Sequence, residues 1–174
     1  MSSISKKICL IGDFGVGKTS LIRRFVDRQF SDKYLSTVGV KISRKSLEVT
    51  DSEQPKHLTL QLLIWDIEGS SKFKGISASY FQGATGAILV GDVTRPESLE
   101  NLSEHLQAFL KVNPKGKVAI ALNKSDLIDS EYLEKYRQIY SFSDDSSFVA
   151  TYASSAKTGT NVDNIFQSLA HSII

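Results

Sequence analysis

The run Gly12-Asp13-Phe14-Gly15-Val16-Gly17-Lys18-Thr19 has the spacing G-x-x-x-x-G-K-[ST], and each residue type in that pattern has a use at a polyphosphate. The glycines let main-chain N–H groups turn inward around phosphate oxygens, and a helix opening at Lys18 adds partial positive charge there. The Lys18 ammonium can neutralise the outer phosphates, and the Thr19 hydroxyl, followed by Ser20, can ligate magnesium. The same letters arise by chance in glycine-rich turns. Here, however, the apolar run Ile8-Cys9-Leu10-Ile11 precedes them, and Leu21, Ile22, Phe25 and Val26 follow on one helical face. That is the strand–loop–helix order the chemistry needs. Asp66, after Ile64-Trp65 at the end of a second strand pattern, suits a magnesium partner beside such a loop. Alone it says little, because acidic residues often cap strands; with Lys18 and Thr19 it completes a phosphate-and-metal set.

These residues need a scaffold, and strand-like and helix-like patterns alternate along the whole chain. Leu58, Leu60, Leu62 and Ile64 alternate as a strand with one face buried. The segment Val38 to Val49 alternates less cleanly, and polar Asp51 to His57 reads as the hairpin connection between the two. Ala87 to Val90 and Val118 to Leu122 are continuous apolar runs, the pattern of central strands covered on both sides. Between them Leu99, Leu102, Leu106, Phe109 and Leu110 fall on one helical stripe, Phe148 to Ala153 is a last strand, and Val162, Ile165, Phe166 and Leu169 mark a closing helix. The prediction is an α/β fold, a mostly parallel six-stranded sheet with helices on both faces. Ligands of such a sheet sit beyond the carboxyl ends of the strands, where every motif named here falls.

A chain of 174 residues, 41% hydrophobic and 23% charged, fits one domain over 1–174 and is too short for two of ordinary size. A net charge of +2 gives no strong field toward nucleic acid or anionic lipid. Cys9, the single cysteine, permits no internal disulfide and reads as a buried structural thiol. No signal-peptide pattern or membrane-length apolar stretch occurs; Ser2 replaces the glycine that myristoylation needs, and Ile173-Ile174 carry no prenylation cysteine. The expectation is a monomeric cytoplasmic protein with no membrane anchor in this chain. His57, His105 and His171 lack metal-ligand spacing and read as solvent or helix-face residues.

Two further motifs carry a resemblance. Val118 to Leu122 runs into Asn123-Lys124-Ser125-Asp126, an N-K-x-D sequence, and the last strand runs into Ser155-Ala156-Lys157. With the phosphate loop, they make the chain resemble the small GTPases of the Ras superfamily. Tyr34-Leu35-Ser36-Thr37-Val38-Gly39-Val40, the segment Phe73 to Leu89 and Asp92-Val93-Thr94-Arg95 are similar to the Rab branch. The likeness runs from Lys6 to Phe166. It implies a GTP/GDP switch that uses magnesium. The Asp126 carboxylate would accept hydrogen bonds from guanine, the Lys124 stem would pack on the base, and Asn123 would tie the loops together. The Ala156 N–H, between Ser155 and Lys157, would face guanine O6, and Phe30 would pack edgewise on the base. Tyr34 and Thr37 belong to a first switch, with Thr37 closing on magnesium and the γ-phosphate, and the Gly69 N–H would sense that phosphate. Adenine offers Asp126 no matching donors, and a site built on such bonds rejects the wrong analogue by roughly 10⁴–10⁵-fold. The resemblance also implies effector and regulator proteins docking on residues 34–45 and 66–81. Trp65, Ile42 and Phe81 could form an apolar patch for them, or pack in the core.

The second switch departs from the family. Where D-T-A-G-Q is expected, this chain has Asp66-Ile67-Glu68-Gly69-Ser70. Ser70 stands for the glutamine that orients the attacking water, Glu68 brings a carboxylate toward the γ-phosphate, and Phe14 replaces a glycine or other small residue. The candidate catalytic set is therefore Lys18, Thr37, Gly69, Ser70 and Glu68, and its changes imply intact binding with slow hydrolysis. Glu68 could repel the γ-phosphate or orient water in the glutamine's place. One rival is a scaffold that binds guanine nucleotide without hydrolysing it. Another is an ATP-using kinase or transporter ATPase, against which Asn123 to Asp126 and Ser155 to Lys157 argue.

Overall fold

Successive side chains of a strand face opposite ways, and β1 (Ser2–Gly12) uses this to join two cores. Ile8 and Leu10 enter one, Cys9 and Ile11 the other. The computed structural model describes residues 2–33, 37, 39–51, 53, 56–67, 69 and 78–174. Its other strands are β2 (Val40–Thr50), β3 (His57–Ile67), β4 (Ala84–Asp92), β5 (Lys117–Asn123) and β6 (Phe148–Ala153). They form one six-stranded sheet in the order β2-β3-β1-β4-β5-β6. β2 pairs antiparallel with β3, Thr50 opposite His57, and the remaining pairs are parallel.

On one face α1 (Lys18–Asp27) and α5 (Val162–Ser172) bury Leu21, Phe25, Ile165 and Leu169 against Ile88, Val90 and Ala119. The rings of Phe25 and Phe166 stack there with centroids 4.1 Å apart. On the other face α2 (Pro96–Glu100) and α3 (Leu102–Val112) bury Leu99, Leu102, Leu106 and Phe109 against Ala87, Leu89 and Ile120. Each such side chain taken from water contributes roughly 1.5–3 kcal/mol, so two covered faces suffice to hold the sheet.

Three details differ from the sequence reading. β1 begins well before Ile8, because Ser2 to Lys7 pair with Leu58 to Leu63 of β3 through main-chain bonds that need no apolar side chains. The stripe from Leu99 to Leu110 is broken at Asn101 into two helices, and Leu110 is only half-buried. A further helix, α4 (Ser130–Ile139), buries no residue fully and packs only Leu133 and Tyr136 partly against the core, too short a stripe to read. Among the described residues no helix is long and apolar enough to cross a membrane. Pairing Gly12 with Val90, Leu10 with Asp66, Asp92 with Asn123 and Leu122 with Ala153 brings the carboxyl ends of five strands to one edge. β1 has β3 on one side and β4 on the other, so its exit loop lies at the switch point where such sheets bind ligands.

Candidate nucleotide site

Gly17 turns the loop after β1 into α1. Its φ is 102°, and a Cβ there would lie 2.3 Å from Asn123 Nδ2, so both backbone and space require glycine. Gly17→Ala should lower the unfolding free energy by roughly 2–4 kcal/mol, read by denaturant titration of the nucleotide-free protein.

So turned, the loop receives its own lysine. Lys18 Nζ donates to the carbonyls of Gly12 and Asp13, each at 3.0 Å, and the residue is buried. Burial pushes its ammonium down to about 8, although Asp66 and Asp13 pull the other way. Anionic phosphate oxygens would offset that desolvation. Gly69 packs on the same turn: a Cβ there would come within 2.6 Å of Lys18 Nζ and 2.7 Å of the Asp13 carbonyl.

Thr19 Oγ1 donates to Asp66 Oδ2 at 2.5 Å and lies 2.7 Å from Thr37 Oγ1. Asp66 is buried, and burial raises its carboxyl against the Thr19 hydrogen bond and the Lys18 charge. Its other oxygen, Oδ1, is buried with no hydrogen-bond partner among the described residues, a costly state for an acceptor. A hard cation would satisfy it. One carboxylate and two hydroxyls, together with phosphate oxygens, are the donor set magnesium accepts.

The loop after β5 is tied to the loop after β1 by side chains. Asn123 Nδ2 donates to the Val16 carbonyl at 2.9 Å. Lys124, held at φ 62°, donates to the Gly15 carbonyl at 3.0 Å and pairs with Asp92 at 2.8 Å. Ser155 Oγ donates to Asp126 Oδ1 at 2.7 Å, which orients the carboxylate. Arg24 of α1 donates to the Ala156 carbonyl at 2.9 Å and to that of Lys157.

These loops enclose a cleft of about 340 Å³, within the range of ordinary small-molecule sites. Phe14, Gly15, Gly17, Lys18, Thr19, Ser20, Phe30, Thr37, Gly69, Asn123, Lys124, Asp126, Ala156 and Lys157 line it. Arg23, Ser31, Asp32, Lys33 and Leu127 also line it, and no motif announced them. Gly12, Asp13, Val16, Asp66 and Ser155 stand behind the wall. The Val16 side chain is core, and Ser155 holds Asp126 from behind. Tyr34, Glu68 and Ser70 lie outside the described residues.

Asp13 turns its side chain toward α3. Its Oδ2 accepts from Asn101 Nδ2 at 2.6 Å, and its Oδ1 lies 2.8 Å from His105 Nε2. Burial works to raise this carboxyl, but the bonds from His105 and Asn101, with the charges of His105 and Arg95, hold it below the usual value. His105 is thus engaged within the protein rather than turned to solvent, while His57 and His171 are exposed. Phe81 is core, edge-on to Phe109 at 5.9 Å, whereas Ile42 is half exposed. Trp65 is partly covered, with Lys7 Nζ 3.6 Å from its ring centre. The three therefore do not form one surface patch. Cys9 is buried, and burial pushes its thiol up to about 12, leaving it inert.

Residues 7–174 match the family model described as the Ras family. The chain belongs to the Ras family. This small GTPase is 36% identical to the GTP-binding protein ypt1 of Schizosaccharomyces pombe over 168 residues, covering 96% of this chain and 79% of that protein. It is 34% identical to the Ras-related protein Rab-13 of Canis lupus familiaris over 169 residues, 97% and 79% of the two chains. Against the Ras-related protein RABF2b of Arabidopsis thaliana it is 37% identical over 170 residues, 97% and 80% of the two. Such relatives set this Ras-family GTPase close to the Rab branch.

Proposed function

We propose that this Ras-family chain is a monomeric cytoplasmic switch, one domain over residues 1–174, that holds GTP or GDP with magnesium and hydrolyses GTP slowly. The observation that carries the reading is the pair of bonds from Asn123 to Val16 and from Lys124 to Gly15. They fix the base-reading loop at a set distance from the phosphate loop, so one nucleotide can engage both. Thr19, Thr37 and Asp66 would hold the magnesium, which supplies positive charge to the phosphates. Lys18 neutralises the outer phosphates, and the Gly15 and Gly17 turn presents main-chain donors to them. Asp126 and the Ala156 N–H read the guanine edge, with Phe30 against the ring. Thr37 and Gly69 are the contacts a γ-phosphate would recruit, so the segments around them would order with GTP and release with GDP. Partners would read residues 34–45 and 66–81, a reading the exposed Ile42 supports.

Slow turnover follows from the sequence at 66–70 and from Phe14. Without a water-orienting glutamine, the unassisted rate falls at or below about 10⁻⁴ s⁻¹, the scale of Ras alone. Phe14, half exposed on the cleft wall, would obstruct an arginine supplied by a partner. Single-turnover hydrolysis tests this. Ser70→Gln should accelerate cleavage roughly tenfold or more, and Glu68→Ala should change it little. A collapse in Glu68→Ala would instead make Glu68 the group that orients water. The Phe14 side chain also favours the second reading, a non-hydrolysing scaffold. Protein loaded with GTP and assayed by chromatography over a day would, on that reading, still carry GTP.

A further inference from the structure

Behind the phosphate loop lies a cluster that neither the nucleotide contacts nor the magnesium set uses. Asn101, at the break between α2 and α3, and His105 are four residues apart, and His105 N–H bonds the Asn101 carbonyl at 3.0 Å. Their side chains therefore leave the helix on one face. Both converge on Asp13, one on each carboxylate oxygen, at 2.6 and 2.8 Å. An ionised carboxylate can only accept, so His105 carries its proton on Nε2 and donates it. The Asp13 carbonyl in turn accepts from Lys18 Nζ at 3.0 Å. Just upstream of α2, Arg95 donates to the next carbonyl in the loop, that of Phe14, at 2.6 Å. Residues 95–105 thus hold two successive loop residues from outside the cleft. The carbonyl that aims the lysine belongs to the same residue whose side chain is clamped.

We propose that His105 and Asn101 are positioning residues for nucleotide binding: by clamping Asp13 they set the loop and the Lys18 ammonium against the phosphates, and so set how long the nucleotide stays. The proposal rests on the guanine-nucleotide reading of the cleft. A displaced α3 N-terminus would carry Asp13 with it, and Lys18 would lose its aim while Asp126 kept its own.

The test is release of a fluorescent GDP from the full chain with magnesium, for wild type and three variants. Losing a charge-assisted hydrogen bond to a buried carboxylate corresponds to a change of about tenfold or more. His105→Ala should therefore accelerate release about tenfold. His105→Gln, whose amide can still donate to Asp13, should return it to within about threefold of wild type. Asn101→Ala, which leaves the ring in place, should accelerate it about threefold or more, and it decides the matter if His105→Ala does not fold. Preference for GDP over ADP should stay unchanged throughout, because Asp126 is untouched. Release within about twofold of wild type in both alanine variants overturns the proposal. So does His105→Gln as fast as His105→Ala at equal thermal stability, which would leave only ring packing. Absence of guanine preference in wild type would overturn the reading of the cleft instead.

Discussion

Replacing Asp126 by alanine should collapse the preference for GDP over ADP from roughly 10⁴-fold to within about a hundredfold of unity. The carboxylate is exposed at the cleft, and Ser155 orients one of its oxygens at 2.7 Å. On the proposed reading it would accept from guanine without rearrangement. Losing two charge-assisted bonds at about 1.5–3 kcal/mol each weakens GDP binding by roughly 10²–10⁴-fold, while ADP, which never made them, loses almost nothing. Because Asp126 is exposed, its removal should leave the melting temperature of the nucleotide-free protein nearly unchanged. Competition of both nucleotides against a labelled GDP measures the ratio. Retained preference in Asp126→Ala would move base recognition elsewhere.

Lys18→Met should have two effects of opposite sign. Nucleotide affinity should drop by roughly 10³-fold, since a buried ammonium facing phosphate oxygens supplies about 4 kcal/mol through charge-assisted bonds. The nucleotide-free protein should nevertheless keep or gain stability at neutral pH. Burial lowers the folded-state ammonium from 10.5 to about 8. Between those values the unfolded chain binds the proton and the folded chain does not. Relative to a chain without this lysine, wild-type stability should therefore rise by about 3 kcal/mol as pH climbs from about 8 to 10.5. Below pH 8 that cost is present in full. Lys18→Met removes this titrating group, while the raised Cys9 thiol lowers the stability of both proteins above about pH 9, so the effect of Lys18 is read as the difference between the two curves. Denaturant titrations at several pH values on nucleotide-free protein check both statements, and parallel curves for wild type and variant would contradict them.

Much of the scaffold is legible in the sequence for a physical reason. β4 and β5 are covered on both faces, so their apolar runs are continuous, and Gly12 to Thr19 and Asn123 to Asp126 follow their strands directly. α4 escapes because a helix lying on the surface touches the core through Leu133 and Tyr136 alone, too few apolar positions to show a period. The supports behind the site escape for another reason. Asp13 meets Asn101 and His105 across 88 and 92 positions, and Arg24 reaches Ala156 across 132. Contacts of that range leave no local spacing to read. Lys18, Thr19 and Asp66 are readable as types, but Asp66 Oδ1, buried without a partner among the described residues and so the physical reason for the proposed magnesium, exists only once the fold has buried it.

The most direct test is calorimetric titration of the nucleotide-free chain with GDP and with ADP, magnesium present in both. Tight binding of GDP with adenine nucleotide weaker by roughly 10⁴-fold is the expected result. Equal affinity for the two, or no binding of either, would mean that the loops joined through Asn123 and Lys124 do not form a guanine-nucleotide site.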